Sequence, residues 1–150
     1  MATIEEEIKQ RRFQSEHHKA VINIIYTGSW LHGQNACQLK AFQLTPEQYN
    51  VLRILRGSHP KPLMLAEITA RMLDKSSNAT RLVEKLRLKG FVRRELCENN
   101  RRQVDIMITG KGQEVLAQID REQEEWNTFE KKISTADARE LNRILDAMRS

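Results

Sequence analysis

A chain of 150 residues suits a single domain with a modest core. Its 39% hydrophobic and 30% charged residues place it with soluble globular proteins and exclude the disordered class. No apolar run approaches the roughly 20 residues that span a bilayer. The N-terminal stretch from Met1 to Arg12 is acidic, then basic, and lacks the apolar segment of a secretory signal.

Helical spacing governs the first half of the chain. From about Thr3 to Lys40, the residues Ile4, Ile8, Phe13, Val21, Ile24, Ile25 and Leu31 recur mostly at intervals of three and four. They predict a long helix with an irregular stretch near His17. Gly28 and Gly33 predict a kink or break in its second half. Thr45-Pro46-Glu47-Gln48 is a helix start, with Thr45 as cap, Pro46 in the first turn and Gln48 closing a capping box. That helix buries Val51, Leu52 and Leu55, and the run from Gly57 to Pro62 ends it.

Leu65, Ile68, Met72 and Leu73 outline a short helix, Asp74-Lys75 a tight turn, and Ser76 a cap for the next helix. The second helix carries the stripe Leu82, Val83 and Leu86 and ends at Gly90. Two helices joined by a few residues, the second one basic, are the outline of a helix-turn-helix. The period then falls to two. Phe91 to Leu96 reads as one strand, Val104, Ile106 and Ile108 mark its partner, and the polar segment from Cys97 to Gln103 turns between them. Thr109 caps a long helix with Val115, Leu116, Ile119, Trp126, Phe129 and Ile133. Ser134 or Thr135 opens a last helix striped by Leu141, Ile144, Leu145 and Met148. The fold class is therefore mainly α with a small antiparallel β-hairpin wing, a winged helix-turn-helix.

The formal net charge is +5. Between Lys75 and Arg94 seven basic residues face a single acid, Glu84, so this segment carries +6 and the rest of the chain about −1. Charge that serves only solubility is spread and mixed in sign. A local cationic patch on a helix-turn-helix points to duplex DNA. Ser76, Ser77, Asn78 and Thr80 occupy the N-terminal turn of the basic helix, the part that enters a major groove, and Arg81 follows one position on. Asn suits adenine, Arg suits guanine, and hydroxyls suit phosphate. Ser77, Arg81 and Lys85 are expected on one face. The alternative is that Ser76-Ser77-Asn78 is only a capping cluster. Arg101 and Arg102, near the hairpin tip, suit a narrow minor groove, or else form a solvated turn. The apolar stripes at the two chain ends either complete the core or pair two chains. Pairing is favoured, because two recognition helices then meet two half-sites about one DNA turn apart.

The run from Leu44 to Gly112 resembles the multiple-antibiotic-resistance regulator (MarR) family of bacterial winged-helix regulators. The resemblance lies in Leu44-Thr45-Pro46-Glu47-Gln48-Tyr49-Asn50-Val51-Leu52, in Asn78-Ala79-Thr80-Arg81-Leu82-Val83-Glu84-Lys85-Leu86, in Lys89-Gly90-Phe91-Val92-Arg93-Arg94, and in Asn100-Arg101-Arg102-Gln103-Val104 leading to Thr109-Gly110-Lys111-Gly112. It implies a homodimer held by residues 1–43 and 111–150, with residues 44–110 as the DNA-binding lobe on a pseudo-palindromic operator. It also implies a cytoplasmic regulator, a repressor in the first instance, relieved by a small aromatic effector near Tyr26, Trp30 and His32. The family has Asp before the wing arginines where this chain has Asn100. An Asp–Arg ion pair orienting the wing is therefore absent or replaced by a neutral contact.

Other chemistries find less support. Cys37 and Cys97 form no disulfide framework and suit a reducing compartment. A redox role needs an activated thiol. His17, His18, His32 and His59 lack metal-ligand spacing, so no metal is expected. Thr109-Gly110-Lys111-Gly112 lacks the earlier glycine of a phosphate-binding loop. With no nucleophile–base pair, neither an enzyme nor a cofactor is expected. The competing functions are a helical dimer that binds an acidic protein partner through its basic patch, and an architectural DNA binder without sequence preference.

Overall fold

The computed structural model describes residues 1–126 and 131–150, with Arg101 described by its backbone alone. Seven α-helices and one hairpin follow in chain order among the described residues. They are α1 (Ile4–Glu7), α2 (Glu16–Leu39), α3 (Pro46–Ser58), α4 (Leu65–Arg71), α5 (Ala79–Leu88), β1 (Val92–Cys97), β2 (Asn100–Ile108), α6 (Gly110–Trp126) and α7 (Thr135–Arg149). A single 3₁₀ turn, Lys40–Phe42, links α2 to α3. No helix among the described residues is long and apolar enough to cross a membrane.

The first helical segment breaks earlier than its glycines suggest. Residues between α1 and α2 leave the helix, with Lys9 at φ 54° in the left-handed region. Ser15 then restarts it by accepting the His18 N–H at 3.1 Å. Helix α2 runs unbroken through Gly28 and Gly33, because 24 residues of ladder outweigh about 1 kcal/mol of helix propensity lost per glycine. An ion pair between Glu5 and Lys19 and a 2.7 Å hydrogen bond from Tyr26 Oη to Glu7 hold α1 back along α2.

The core lies in the middle of the chain. Val51, Leu52 and Leu55 of α3, Ile68 of α4, Val83 and Leu86 of α5, Ile106 and Ile108 of β2, and Leu116 and Ile119 of α6 form one buried cluster. The α3 start matches its sequence signal: Thr45 Oγ1 accepts the Gln48 N–H and Gln48 Oε1 accepts the Thr45 N–H. In the hairpin, Val92 pairs with Ile108 and Arg94 with Ile106, up to Leu96 with Val104. Leu63, ahead of α4, adds a third short rung by exchanging both backbone hydrogen bonds with Ile106.

The α4–α5 connection departs from its sequence reading. It spans residues 72–78, Leu73 is exposed, and the cap of α5 is Asn78 rather than Ser76. Asp74 Oδ1 accepts both the N–H and the hydroxyl of Ser76, at 2.9 and 2.6 Å, so Ser76 is spent on the turn. Asn78 Oδ1 then takes the Arg81 N–H at 3.1 Å. Helix α5 ends as expected at Gly90, φ 79°, in a Schellman motif: Phe91 N–H reaches Leu86 O and Gly90 N–H reaches Arg87 O. Ser134 caps α7, whose apolar stripe has no buried member. Phe129, expected on the stripe of α6, lies outside the described residues.

Candidate nucleic-acid interface

Helix α5 projects its outer face to solvent because Ala79, Val83 and Leu86 turn the opposite face into the core. Thr80, Arg81 and Lys85 are exposed on that outer side. The first turn holds no acid, and Lys85 and Arg87 lie in the last turn. The helix N-terminus, with its partial positive charge, is therefore open to an anion.

The seven basic residues of the segment are not equivalent. Arg87 and Arg94 share Glu84, at 2.7 and 3.3 Å, and these charges hold the Glu84 carboxyl below its ordinary range, the Arg87 hydrogen bond foremost. Arg93 pairs with Glu95 at 3.3 Å. The Lys75 ammonium donates to the Ala70 carbonyl. Lys89 donates to the Gln43 carbonyl and to Gln48 Oε1, and burial, then the Lys85 charge, pushes its ammonium below the ordinary lysine range. Arg81 and Lys85 have no ion-pair partner among the described residues. The patch of seven thus reduces to two uncommitted charges on α5.

Ser76, Ser77 and Asn78 stand differently from the sequence expectation. Ser76 is engaged by Asp74, and Asn78 Oδ1 is engaged as the cap. A bidentate contact from Asn78 to adenine draws on that same oxygen, and the cap fixes the side chain at the helix start. Ser77 precedes the helix, and its hydroxyl is enclosed without a hydrogen-bond partner. It does not share the face of Arg81 and Lys85. The sequence offered three capping side chains in a row, and only the folded turn selects among them.

The wing turns at Glu98 and Asn99, closer to its tip than the sequence suggests. Cys97 pairs with Asn100, although Leu96 pairs with Val104, so residues 101–103 bulge out of register. Bulges re-aim side chains. Asn100 Oδ1 accepts the Arg102 N–H at 3.1 Å, a neutral local contact in place of an ion pair. The Arg102 side chain is exposed.

A crevice of about 650 Å³ opens between α2, the start of α3, the residues 72–74 and Gln123 of α6. Leu31, Leu39, Pro46, Tyr49 and Met72 supply apolar lining, and His32, Asn35, Glu47, Asn50, Arg53 and Asp74 supply polar lining. His32 Nε2 lies 2.8 Å from Glu47 Oε1, and this hydrogen bond holds the Glu47 carboxyl below the usual carboxylate range. Asn50 Oδ1 accepts the Leu73 N–H at 2.9 Å and so grips the turn that leads into α5. Of the three aromatic and imidazole residues expected near an effector, His32 lines the crevice, whereas Tyr26 and Trp30 are not part of its wall. Tyr26 is bound to Glu7, whose carboxylate, then burial, raises the phenol above its ordinary range. Asn50, Arg53 and Asp74 carry no sequence signal for the crevice, because they converge on it from separate elements.

Cys37 and Cys97 are free thiols, Cys37 exposed. The described residues include no His, Cys, Asp and Glu group able to hold a metal ion.

The MarR family model matches residues 44–104. No curated protein matches the chain. Among solved structures, it is similar to a MarR transcription factor from Planctomyces limnophilus, at 28% identity and TM-score 0.65, over 92% of this chain and 98% of that one. It is also similar to AbsC, a MarR family transcriptional regulator from Streptomyces coelicolor, at 23% identity and TM-score 0.79, over 93% and 96%. A MarR family transcriptional regulator from Rhodococcus sp. RHA1 aligns at 20% identity and TM-score 0.75, over 91% and 96%.

Proposed function

From a chain that carries a MarR-family domain on a winged-helix fold, we propose a sequence-specific transcription regulator that binds a pseudo-palindromic operator as a homodimer. The observation that carries this reading is the pair Arg81 and Lys85, exposed and uncommitted on the outer face of α5 while five neighbouring cations are engaged. Helix α5 enters the major groove by its N-terminal turn, where Thr80 meets phosphate and Arg81 a guanine edge. Lys85 follows the backbone. Arg101 and Arg102 of the wing reach the adjacent minor groove. Ser76 and Asn78 contribute by fixing the turn and the helix start.

Residues 1–43 and 111–150 pair two chains around the lobe of residues 44–110. What supports pairing is α7, whose stripe of Leu141, Ile144 and Met148 is half exposed in the single chain, and α2, which buries only Leu39. The crevice beside His32 takes a small aromatic effector, and its wall includes Leu73 and Asp74, which feed directly into α5. An effector there loosens operator binding, and the regulator acts as a repressor in the cytoplasm.

Selection of duplexes from a random library tests the reading. Enrichment of an inverted repeat with half-sites about 10 bp apart is expected. Recovery of no preferred sequence at any salt concentration would overturn it, leaving an architectural DNA binder or a protein-interaction module. A thermal-shift screen with aromatic acids tests the effector: no stabilisation by any of them removes that part of the proposal.

A further inference from the structure

Thr109-Gly110-Lys111-Gly112 is not a phosphate loop, yet its side chains converge on one place. The recognition helix α5 ends at Leu88, and three residues, Lys89 to Phe91, carry the chain into β1. The carbonyls of this link face the first turn of α6. Lys111 Nζ donates to Lys89 O at 2.9 Å. Thr109 Oγ1 donates to Gly90 O at 2.6 Å, and Thr109 N–H donates to Phe91 O at 3.0 Å. The Lys111 ammonium also lies 5.2 Å from the centre of the Phe91 ring. Gly112 permits the approach, because a Cβ there falls 2.3 Å from Phe91 O.

Each contact has a physical consequence for α5. The Schellman motif already satisfies Leu86 O and Arg87 O from within the helix end. Lys89 O, of the C-cap residue, and Gly90 O lie just past the last helical residue, beside the negative end of the helix dipole. A fixed cation there is favourable and directional. Gln48 and Gln43 hold the Lys89 side chain from the other side. The C-terminal end of α5 is therefore clamped to α3 and to α6 while its N-terminal face stays open.

We propose that Lys111 is a positioning residue for DNA recognition: it sets the pose of α5 by holding the α5–β1 link, and touches no DNA itself. The inference rests on the regulator reading above, and goes beyond it in assigning sequence discrimination to a residue off the recognition helix. A bound cation that holds the link fixes where Arg81 points. Without it α5 pivots on its core stripe, and base contacts suffer before phosphate contacts do.

The test compares wild type, Lys111→Met and Lys111→Arg on the selected operator duplex and on a scrambled duplex, across a range of salt concentrations. Met keeps the stem over Phe91 and removes the ammonium. The expected result is an about tenfold fall in operator-over-scrambled preference for Lys111→Met, within the range of one lost base contact. The salt dependence should stay unchanged, and Lys111→Arg should restore the preference. Equal losses on both duplexes with a shallower salt slope would identify a direct phosphate contact and overturn the proposal. A lower thermal midpoint with undiminished preference would mark a purely structural role and overturn it as well. If Lys111→Met does not fold, Lys111→Gln replaces it in the same comparison. A wild-type chain that selects no sequence removes the regulator reading and this inference together, whereas a selective wild type with an indifferent Lys111→Met removes this inference alone.

Discussion

Helices α5 and α7 have similar one-sided sequences and opposite fates. In α5, Val83 and Leu86 are buried against α3, α4 and the hairpin. In α7, Leu141, Ile144 and Met148 remain 49%, 43% and 52% exposed. Helix α2 resembles α7: over 24 residues it buries Leu39 alone, and Ile25 is 67% exposed. An apolar stripe is a demand for a partner surface, and among the described residues the buried cluster that meets it runs from Leu39 to Ile119. The core of the lobe is closed within one chain, with Leu39 at the end of α2 and Leu116 and Ile119 of α6 completing it. The stripes of α2 and α7 stay largely exposed, and the proposed pairing with a second copy of the chain would cover them.

That contrast gives measurements of graded size. Leu116→Ala attacks the closed region. It should cost about 2–5 kcal/mol of unfolding free energy in urea titrations, because a wholly buried leucine leaves a cavity on truncation. Ile144→Glu attacks the open region. It should leave the lobe folded while costing about 2 kcal/mol or more of association, seen as single-chain mass in sedimentation at micromolar concentration. A wild-type chain that already sediments as a single copy would break the contrast outright.

Arg81→Ala probes the exposed outer face of α5, which the proposed function assigns to DNA. A loss of about 1–3 kcal/mol in operator affinity with relaxed base preference is expected, while Lys85→Ala should weaken all sequences alike. Thr45→Ala removes one hydroxyl from the edge of the lobe. It should cost about 1 kcal/mol of stability, with no effect on the mass of the particle. His32→Ala is the smallest change. The pair with Glu47 is partly exposed, so about 0.5 kcal/mol at neutral pH is the ceiling. The folded state holds the Glu47 carboxyl below its ordinary pKa, so the contribution is fully present above the usual carboxylate range. It fades as pH falls through the lowered value. A stability gap between wild type and His32→Ala that persists unchanged in acid would contradict this assignment.

The lobe was legible because its signals are local. Thr45 and Gln48 build their box within four residues, Gly90 ends α5 through its own positive φ, and alternation from Val104 to Ile108 is a property of one strand. The candidate site was legible in part. Arg81 and Lys85 follow from helical spacing. The fates of Ser76, Ser77 and Asn78 do not, since each can cap and only the Asp74 turn decides which one does. The glycines of α2 misled for a related reason: propensity is a weak local term, and a long hydrogen-bonded ladder overrides it.

Sequence alone settled the order of the elements, the winged helix-turn-helix and the identity of the basic helix, because periodicity, caps and turn residues act over a few neighbours. Tertiary structure alone decided which cations stay uncommitted, since Glu84, Glu95 and Gln48 are brought to their partners by the fold. It also decided that Thr109, Lys111 and Gly112 grip the end of α5 across some 20 residues of chain. Such contacts depend on where separate elements come to lie, and no short-range pattern encodes that.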